Sequence, residues 1–310
     1  MNTVPRPKFT WSLITPKYWP VWLGFGLLAL IVNILPFRLI QLLGALLGRL
    51  VKVVGKKRCK IAKRNLELSF PEMSQQERDD IFEKNMTNTG MALLETGMAW
   101  FWPKWRLKAL SNIVNKEALL EQVESNRGVL VVCSHHLNLE LTAMFFSQFT
   151  KGYGVYRAHT NPAYEFIQHR GRTRSGHKMV DRKDVKAMLK LLRQGHRLWY
   201  LPDHDYGRRS AVYVPFFGVE EACTTTGSSM LIDASKCAVI SGVSVRKDNQ
   251  YTLYVGDDIS GQIERRNPEQ AARVINGELE RMIRRDISAW MWLHRRFKNQ
   301  PDEHAPSLYK

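Results

Sequence analysis

His135 and Glu140, with four residues between them at the end of the apolar run in GVLVVCSHHLNLE (residues 128–140), are the residues best placed to do chemistry. Such a run reads as a buried strand, and a strand that ends in a histidine and a carboxylate sets a general base and an orienting acid at the mouth of a sheet. His136 competes for the role. Residues four apart share a helix face, which pairs His136 with Glu140, whereas a helix starting after both histidines, capped at Asn138, leaves His135 in the turn. A lone histidine and glutamate at this spacing also occur as ordinary surface or core residues.

Two further strand ends carry polar clusters: Arg157 and His159, then Asp203, His204, Asp205 and Tyr206 behind the run Arg197 to Leu201. Because ligands of such sheets bind outside the carboxyl ends of the strands, one site can gather all three clusters. Asp203, His204 and Asp205 offer metal-ligating groups but lack a further ligand at a ligating spacing. Arg157, Arg170, Arg172, Arg174, Lys178, Arg182 and Lys183 fall in a stretch whose only acids are Glu165 and Asp181. Such a run is commonly a solvated face, yet arginine's fork also suits phosphates and carboxylates.

The elements that must position these groups follow from the pattern. Ser74 with Glu77 three residues on predicts a capped helix through about Phe101. Strands are expected at Val129 to Cys133, Tyr153 to Tyr156, Arg197 to Leu201, Ala238 to Val245 and Tyr251 to Val255. Helices are expected near 138–148, 162–172, 183–194 and 225–236, with a closing helix from Pro268 to Trp290. The alternation predicts an α/β fold, a largely parallel sheet covered by helices, in one domain over 70–310. Trp290, Trp292 and Phe297 are expected to pack that last helix near a membrane interface.

The front of the chain is different. Beyond a short cap (1–20), Val21 to Leu35 carries no charge and is led by Tyr18, Trp19 and Trp22. Fifteen residues give about 22 Å of helix against a hydrocarbon core of about 30 Å, short for a span. Leucines continue at helical spacing past Pro36, so 21–48 reads as a membrane anchor with an amphipathic helix, tilted or re-entrant. Next comes a basic juxtamembrane segment (49–69), with Arg49, Lys52, Lys56, Lys57, Arg58, Lys60, Lys63 and Arg64 and no acid among them. The whole chain carries a formal charge of +17, which calls for an anionic partner: nucleic acid, acidic lipid or an acidic protein. A cationic run directly behind an apolar anchor favours the membrane over nucleic acid and puts the bulk of the chain on the cytoplasmic side. The four cysteines are scattered without zinc spacing and read as free thiols.

Several stretches together resemble one family. SHHLNLEL, GRTRSGHKMVDRKDVKAMLKLLRQG, LWYLPDHDYG, VPFFGVEEACTTTGSSML and MWLHRRFK, with NLELSFPEMS and GMALLETGMAWFW nearer the front, are similar to the late acyltransferases of lipid A biosynthesis in Gram-negative bacteria. The likeness runs nearly end to end. It is nearest the lauroyl and palmitoleoyl types, which carry His-x4-Glu, rather than the myristoyl type or the glycerophosphate acyltransferases, which commonly carry His-x4-Asp. His136 and Asn138 depart from the pattern, which has an aromatic and a threonine there.

The resemblance implies an inner-membrane enzyme, its catalytic domain on the cytoplasmic side. It would move a fatty acyl chain from acyl carrier protein, a co-substrate rather than a cofactor, to a hydroxyl of a Kdo2-lipid IVA type precursor, with no metal. It selects His135 as base and Glu140 as its partner, and associates Arg172 and Asp203 with the catalytic site. On that reading Glu140 fixes the imidazole tautomer and Arg172 meets the oxyanion, while Asp203 orients Arg172 or the acceptor. Arg157, Arg170, Arg174, Lys178 and Arg182 would bind the anionic headgroup. Direct attack by the acceptor hydroxyl needs no enzyme nucleophile, although Cys133 and Ser134 adjoin the base.

Overall fold

A computed structural model describes residues 4–309. From the front, three helices follow one another: α1 (Trp19–Ile34), α2 (Phe37–Val54) and α3 (Lys56–Ser69). Pro36 ends the first pair's continuity because it cannot extend a helix, and Gly55 separates the second. The helix α4 (Gln75–Phe101) begins with the expected capping box, Ser74 and Glu77 each accepting the other's backbone N–H. The chain then alternates: α5 (Lys104–Ala109), β1 (Ser111–Val114), α6 (Glu117–Glu124), β2 (Val129–Val132), α7 (Leu139–Phe146), β3 (Tyr153–Tyr156), α8 (Pro162–Thr173), β4 (Lys178–Asp181), α9 (Val185–Arg193) and β5 (Arg197–Tyr200). A hairpin of β6 (Ala211–Phe216) and β7 (Val219–Thr225) stands apart from the main sheet. It is followed by α10 (Gly227–Ser235), β8 (Ala238–Lys247), β9 (Gln250–Asp258) and α11 (Pro268–Ile283).

The seven-stranded sheet has the order β1-β9-β8-β2-β5-β3-β4 and is parallel except for the β8–β9 pair. All four residues of β2 are buried, as a central parallel strand covered on both faces must be. Val129 and Val131 point into the layer formed with α4, α7 and α8. Leu130 and Val132 point into the layer formed with α9, α10 and α11.

The closing helix is shorter than its sequence pattern predicts. It ends at Ile283, and after a 3-10 turn at Ile287–Ala289 the chain runs as a strap along the His135–His136 loop, with a bridge between His136 and Trp290. Two buried asparagines hold the strap: Asn85 of α4 donates to the Ser288 and Trp290 carbonyls, and Asn65 of α3 to those of Trp292 and His294. Trp290 and Trp292 are therefore core residues, 1% and 0% exposed, and do not lie at a membrane interface.

Residues Pro16 to Ile34 are long and apolar enough to cross a membrane. One face of α1 nevertheless packs on the domain. Leu28 and Val32 are buried against Gly97 of α4, and the carbonyls at the helix end accept from Trp102 Nε1 and Arg106. The opposite face exposes Leu23, Leu27, Leu30 and Ile34, and α2 likewise exposes Leu39, Leu42, Leu46 and Leu50. That is a contiguous apolar repeat at helical spacing.

Backbones meet where α2 crosses α4. A Cβ on Gly90 would lie 2.0 Å from the Gly44 carbonyl oxygen and 2.3 Å from the Gly48 nitrogen. Gly90→Ala is expected to push α2 off α4 and cost about 1–3 kcal/mol, because backbone cannot yield as a side-chain tip can. A lowered denaturation midpoint in detergent checks this; an unchanged midpoint refutes the close crossing.

Candidate active site

Strand order brings the site together. β2 and β5 are neighbours, so the segment leaving β2 and the segment leaving β5 emerge side by side at the carboxyl edge of the sheet. His135 and Asp203 occupy those two segments. The His135 backbone N–H donates to Asp203 Oδ2 at 2.6 Å, and Nδ1 lies 2.6 Å from Oδ1. Trp290 Nε1 donates to Oδ2 at 2.7 Å from the strap. Asp203 is fully buried. Burial alone raises a carboxyl's pKa, but the facing imidazole and its hydrogen bonds outweigh it and hold Asp203 well below the usual carboxylate range. The carboxylate can only accept, so the proton belongs on Nδ1 and leaves Nε2 as the basic nitrogen. The His135 side chain is 26% exposed and lines the main cavity.

The carboxylate that contacts the His135 ring is thus Asp203, not Glu140. Glu140 sits in the first turn of α7, where its Oε1 accepts from Arg172 Nε at 2.8 Å and Nη2 at 2.5 Å. Its Oε2 accepts from Trp100 Nε1 at 2.9 Å. The Gln168 amide oxygen accepts from Arg172 Nη1 at 2.8 Å. Arg172 can come this close because Gly171 packs its backbone on Trp100, where a Cβ would lie 2.4 Å from Cγ. Phe25 of α1 stacks on the same indole, so the apolar front of the chain abuts the Glu140–Arg172 pair.

His136 is buried outside the lining of the cavity that His135 faces. It is 3% exposed, its Nδ1 lies 2.6 Å from Ser134 Oγ, and burial pushes its pKa down to about 4. Ser134 is occupied by that contact. Burial, reinforced by Asp203, pushes the Cys133 thiol up to about 12, which makes it a poor nucleophile. All four cysteines are free.

Two more histidines extend the stack from His135, and the first of them, His204, belongs to the cluster that the sequence places behind the run Arg197 to Leu201. His204 lies face to face with His135, ring centres 3.6 Å apart and planes within 9°, and His294 stacks beyond at 4.0 Å. Burial pushes the pKa of His204 down to about 3 and lowers that of His294. His135, Asp203 and His204 cluster tightly enough to suggest metal ligands. Their arrangement does not fit one: parallel stacked imidazoles cannot aim in-plane lone pairs at a common ion, and the Asp203 oxygens already accept three N–H groups. Asp205 is likewise committed, accepting from the Asn299 and Gly207 backbones and the Asn299 amide.

The cavity, of about 460 Å³, is lined by the charged or titratable side chains of His135, Glu140, Arg157, Arg172 and Arg182, and otherwise mainly by apolar and aromatic side chains, with Thr142, His177 and Thr225 among them. The cationic stretch does not act as one face, because β4 threads through it. Lys178 opens β4, the edge strand, at the amino end and so away from the carboxyl edge that holds the site, and Arg182 follows its end. Arg174 donates to the Ala99 and Trp102 carbonyls at the end of α4. Arg170 lies over the Phe166 ring. Of the five cations expected to bind the headgroup, Arg157 and Arg182 line the cavity, while Arg170, Arg174 and Lys178 do not.

The family model for bacterial lipid A biosynthesis acyltransferases matches residues 6–299. The chain is 44% identical to the lipid A biosynthesis lauroyltransferase of Escherichia coli (strain K12), over 98% of this chain and 99% of that one. It is 42% identical to a lipid A biosynthesis acyltransferase of Haemophilus influenzae (strain ATCC 51907 / DSM 11121 / KW20 / Rd), over the whole of both. With the lipid A biosynthesis palmitoleoyltransferase of E. coli K12 it shares 37% identity over 96% of this chain and 97% of that one. A buried carboxylate steadying a histidine beside a half-apolar, arginine-rimmed cavity is thus found in a chain that belongs to the bacterial lipid A biosynthesis acyltransferase family.

Proposed function

We propose that this acyltransferase moves a fatty acyl chain from acyl carrier protein to a hydroxyl of a Kdo2-lipid IVA type precursor. His135 is the general base, and no cofactor is needed beyond the carrier-bound co-substrate. The observation that carries the reading is the His135–Asp203–Trp290 chain on the wall of a cavity that is apolar on one side and cationic at its rim. Nε2 takes the acceptor hydroxyl's proton as its oxygen attacks the thioester carbonyl carbon, and Asp203 steadies the imidazolium. Arg172, locked in direction by Glu140, faces the oxyanion. Collapse breaks the C–S bond, and the imidazolium returns its proton to the departing thiolate, leaving an ester and a free carrier thiol. Arg157 and Arg182 are suited to the precursor's phosphates and carboxylates. The identities to lauroyl- and palmitoleoyltransferases support that subtype.

The exposed apolar faces of α1 and α2, with the basic run behind them, support residence at the inner membrane with the catalytic domain on the cytoplasmic side. Phe25 on Trp100 puts the lipid-facing helix beside the site, where an acceptor anchored in the leaflet would enter.

Mass spectrometry of the product from a mixed acyl carrier protein pool, with Kdo2-lipid IVA and lysophosphatidic acid offered together, tests the reading. Acylated lipid A precursor is expected, and preference for the lysolipid rejects the acceptor. Glu140→Ala is expected to lower transfer by about 10²- to 10³-fold, because Arg172 loses its direction. Since Asp203 orients the base, the shape of the pH–rate profile should survive that substitution. A profile shifted as strongly as that of an Asp203 variant would return Glu140 to the base.

A further inference from the structure

Away from its cationic rim the cavity runs over one face of the sheet, beneath α7. Three of its apolar wall residues sit in a single register row: Gly154 of β3 stands opposite Met179 of β4 on one side and Trp199 of β5 on the other. In-register neighbours on parallel strands point to the same face, so a residue with no side chain lies between two large ones and leaves a notch one side chain wide. Trp199 precedes Asp203 by four residues, which puts the row within about 13 Å of the base's partner.

The two flanks differ in stiffness. Trp199 is pinned: a Cβ on Gly152 would lie 2.2 Å from its ring, so the indole rests against backbone. Met179 is a flexible thioether whose Sδ and Cε lie 3.3 Å from where a Cβ on Gly154 would be. His177 also lines the cavity, edge-on to the Trp199 ring at 4.7 Å. Its Nδ1 accepts from the Gly152 N–H at 3.3 Å, so Nε2 carries the proton and donates to the Ala143 carbonyl at 2.8 Å. With both nitrogens satisfied, the imidazole is a neutral, apolar-faced plug tying the sheet to α7.

The geometry points to the Trp199–Gly154–Met179 row, backed by His177, as the gauge that sets the length of the fatty acyl chain the enzyme accepts. This rests on the acyl-transfer reading above. Gly154 supplies the room, Trp199 the rigid wall and Met179 the yielding one.

The experiment is internal competition: wild type, Gly154→Ala and Met179→Ala each receive an equimolar mixture of acyl carrier protein donors of graded chain length with the Kdo2-lipid IVA acceptor. Product lengths are read by mass spectrometry. A product ratio does not depend on how much enzyme is folded, so a less stable variant still reports. A methyl at Gly154 displaces only the Met179 tip and narrows the notch. Two carbons that no longer fit should shift the ratio of neighbouring even-chain products toward the shorter by roughly tenfold. Met179→Ala should shift it by a similar factor toward the longer. Product lengths matching wild type in both active variants overturn the gauge alone, whereas no carrier-dependent transfer by wild type overturns the acyl-transfer reading and the gauge with it.

Discussion

Asp203→Asn is expected to lower acyl transfer by about 10³- to 10⁴-fold while the fold persists. The substitution keeps the shape of a side chain that accepts from the His135 backbone, from His135 Nδ1 and from Trp290 Nε1. An amide has one accepting atom and one donating group where the carboxylate had two acceptors. With its oxygen turned to the Trp290 and backbone N–H groups, its NH₂ faces Nδ1. The imidazole must then put its proton on Nε2 and ceases to be a base toward the acceptor. The opposite orientation leaves two buried N–H groups facing a donor, at a cost of about 1–3 kcal/mol each, so the inactive tautomer is preferred. His135→Ala should fall as far, having no base at all. Turnover with carrier-bound donor, measured beside the denaturation midpoint and glycolipid binding, separates lost chemistry from lost structure. A rate within tenfold of the parent in folded Asp203→Asn would remove Asp203 from the mechanism.

Both partners of that pair were visible as polar residues behind apolar runs, but not the fact that they are partners. Sixty-eight residues separate them in sequence. What joins them is strand order: the chain leaves β2, builds β3 and β4 further along the sheet, and returns to insert β5 beside β2. Nothing in the spacing of His135 and Glu140 encodes that insertion. The glutamate, in the first turn of α7, is drawn instead toward α8 and α4, where an arginine and an indole satisfy it. Local spacing thus marks where a site is, and topology decides its contacts.

The same distinction explains which elements were legible. β2, β5 and β8 are buried on both faces and read as apolar runs. β4 is an edge strand with only Met179 and Val180 buried between charged residues, so it vanished into the cationic stretch and its cations looked continuous. β1, at the other edge, alternates half-buried and exposed residues over only four positions. The tryptophans of the strap behind α11 fit an amphipathic pattern and so predict helix, yet Asn65 and Asn85, buried polar side chains far away in sequence, take its carbonyls as acceptors and hold it out of the helix. At the front of the chain the break at Pro36 and the leucines at helical spacing are local features, and they match the ends and exposed faces of α1 and α2.

Lowering the pH from 7 to 5 should weaken the fold by about 4 kcal/mol, through histidines that burial keeps neutral. His136 has its pKa pushed down to about 4 and His204 to about 3, while each titrates near 6.5 in the unfolded chain. Between those values the unfolded chain binds protons that the folded one refuses. Stability therefore rises with pH across this window and drains away as pH falls below about 6.5, by about 2 kcal/mol per histidine at pH 5. His294, His177 and His169, also lowered by burial, add in the same direction. Asp203 acts in a separate window: its depressed pKa contributes stability above the ordinary carboxylate value that is lost only in much stronger acid. Denaturant unfolding in detergent at the two pH values measures the total. His136→Gln, which cannot titrate, should shrink the difference by about 2 kcal/mol. If parent and variant lose the same stability between pH 7 and pH 5, His136 is not held neutral in the fold, and its exclusion as a base, which leaves His135 alone in that role, loses its physical ground.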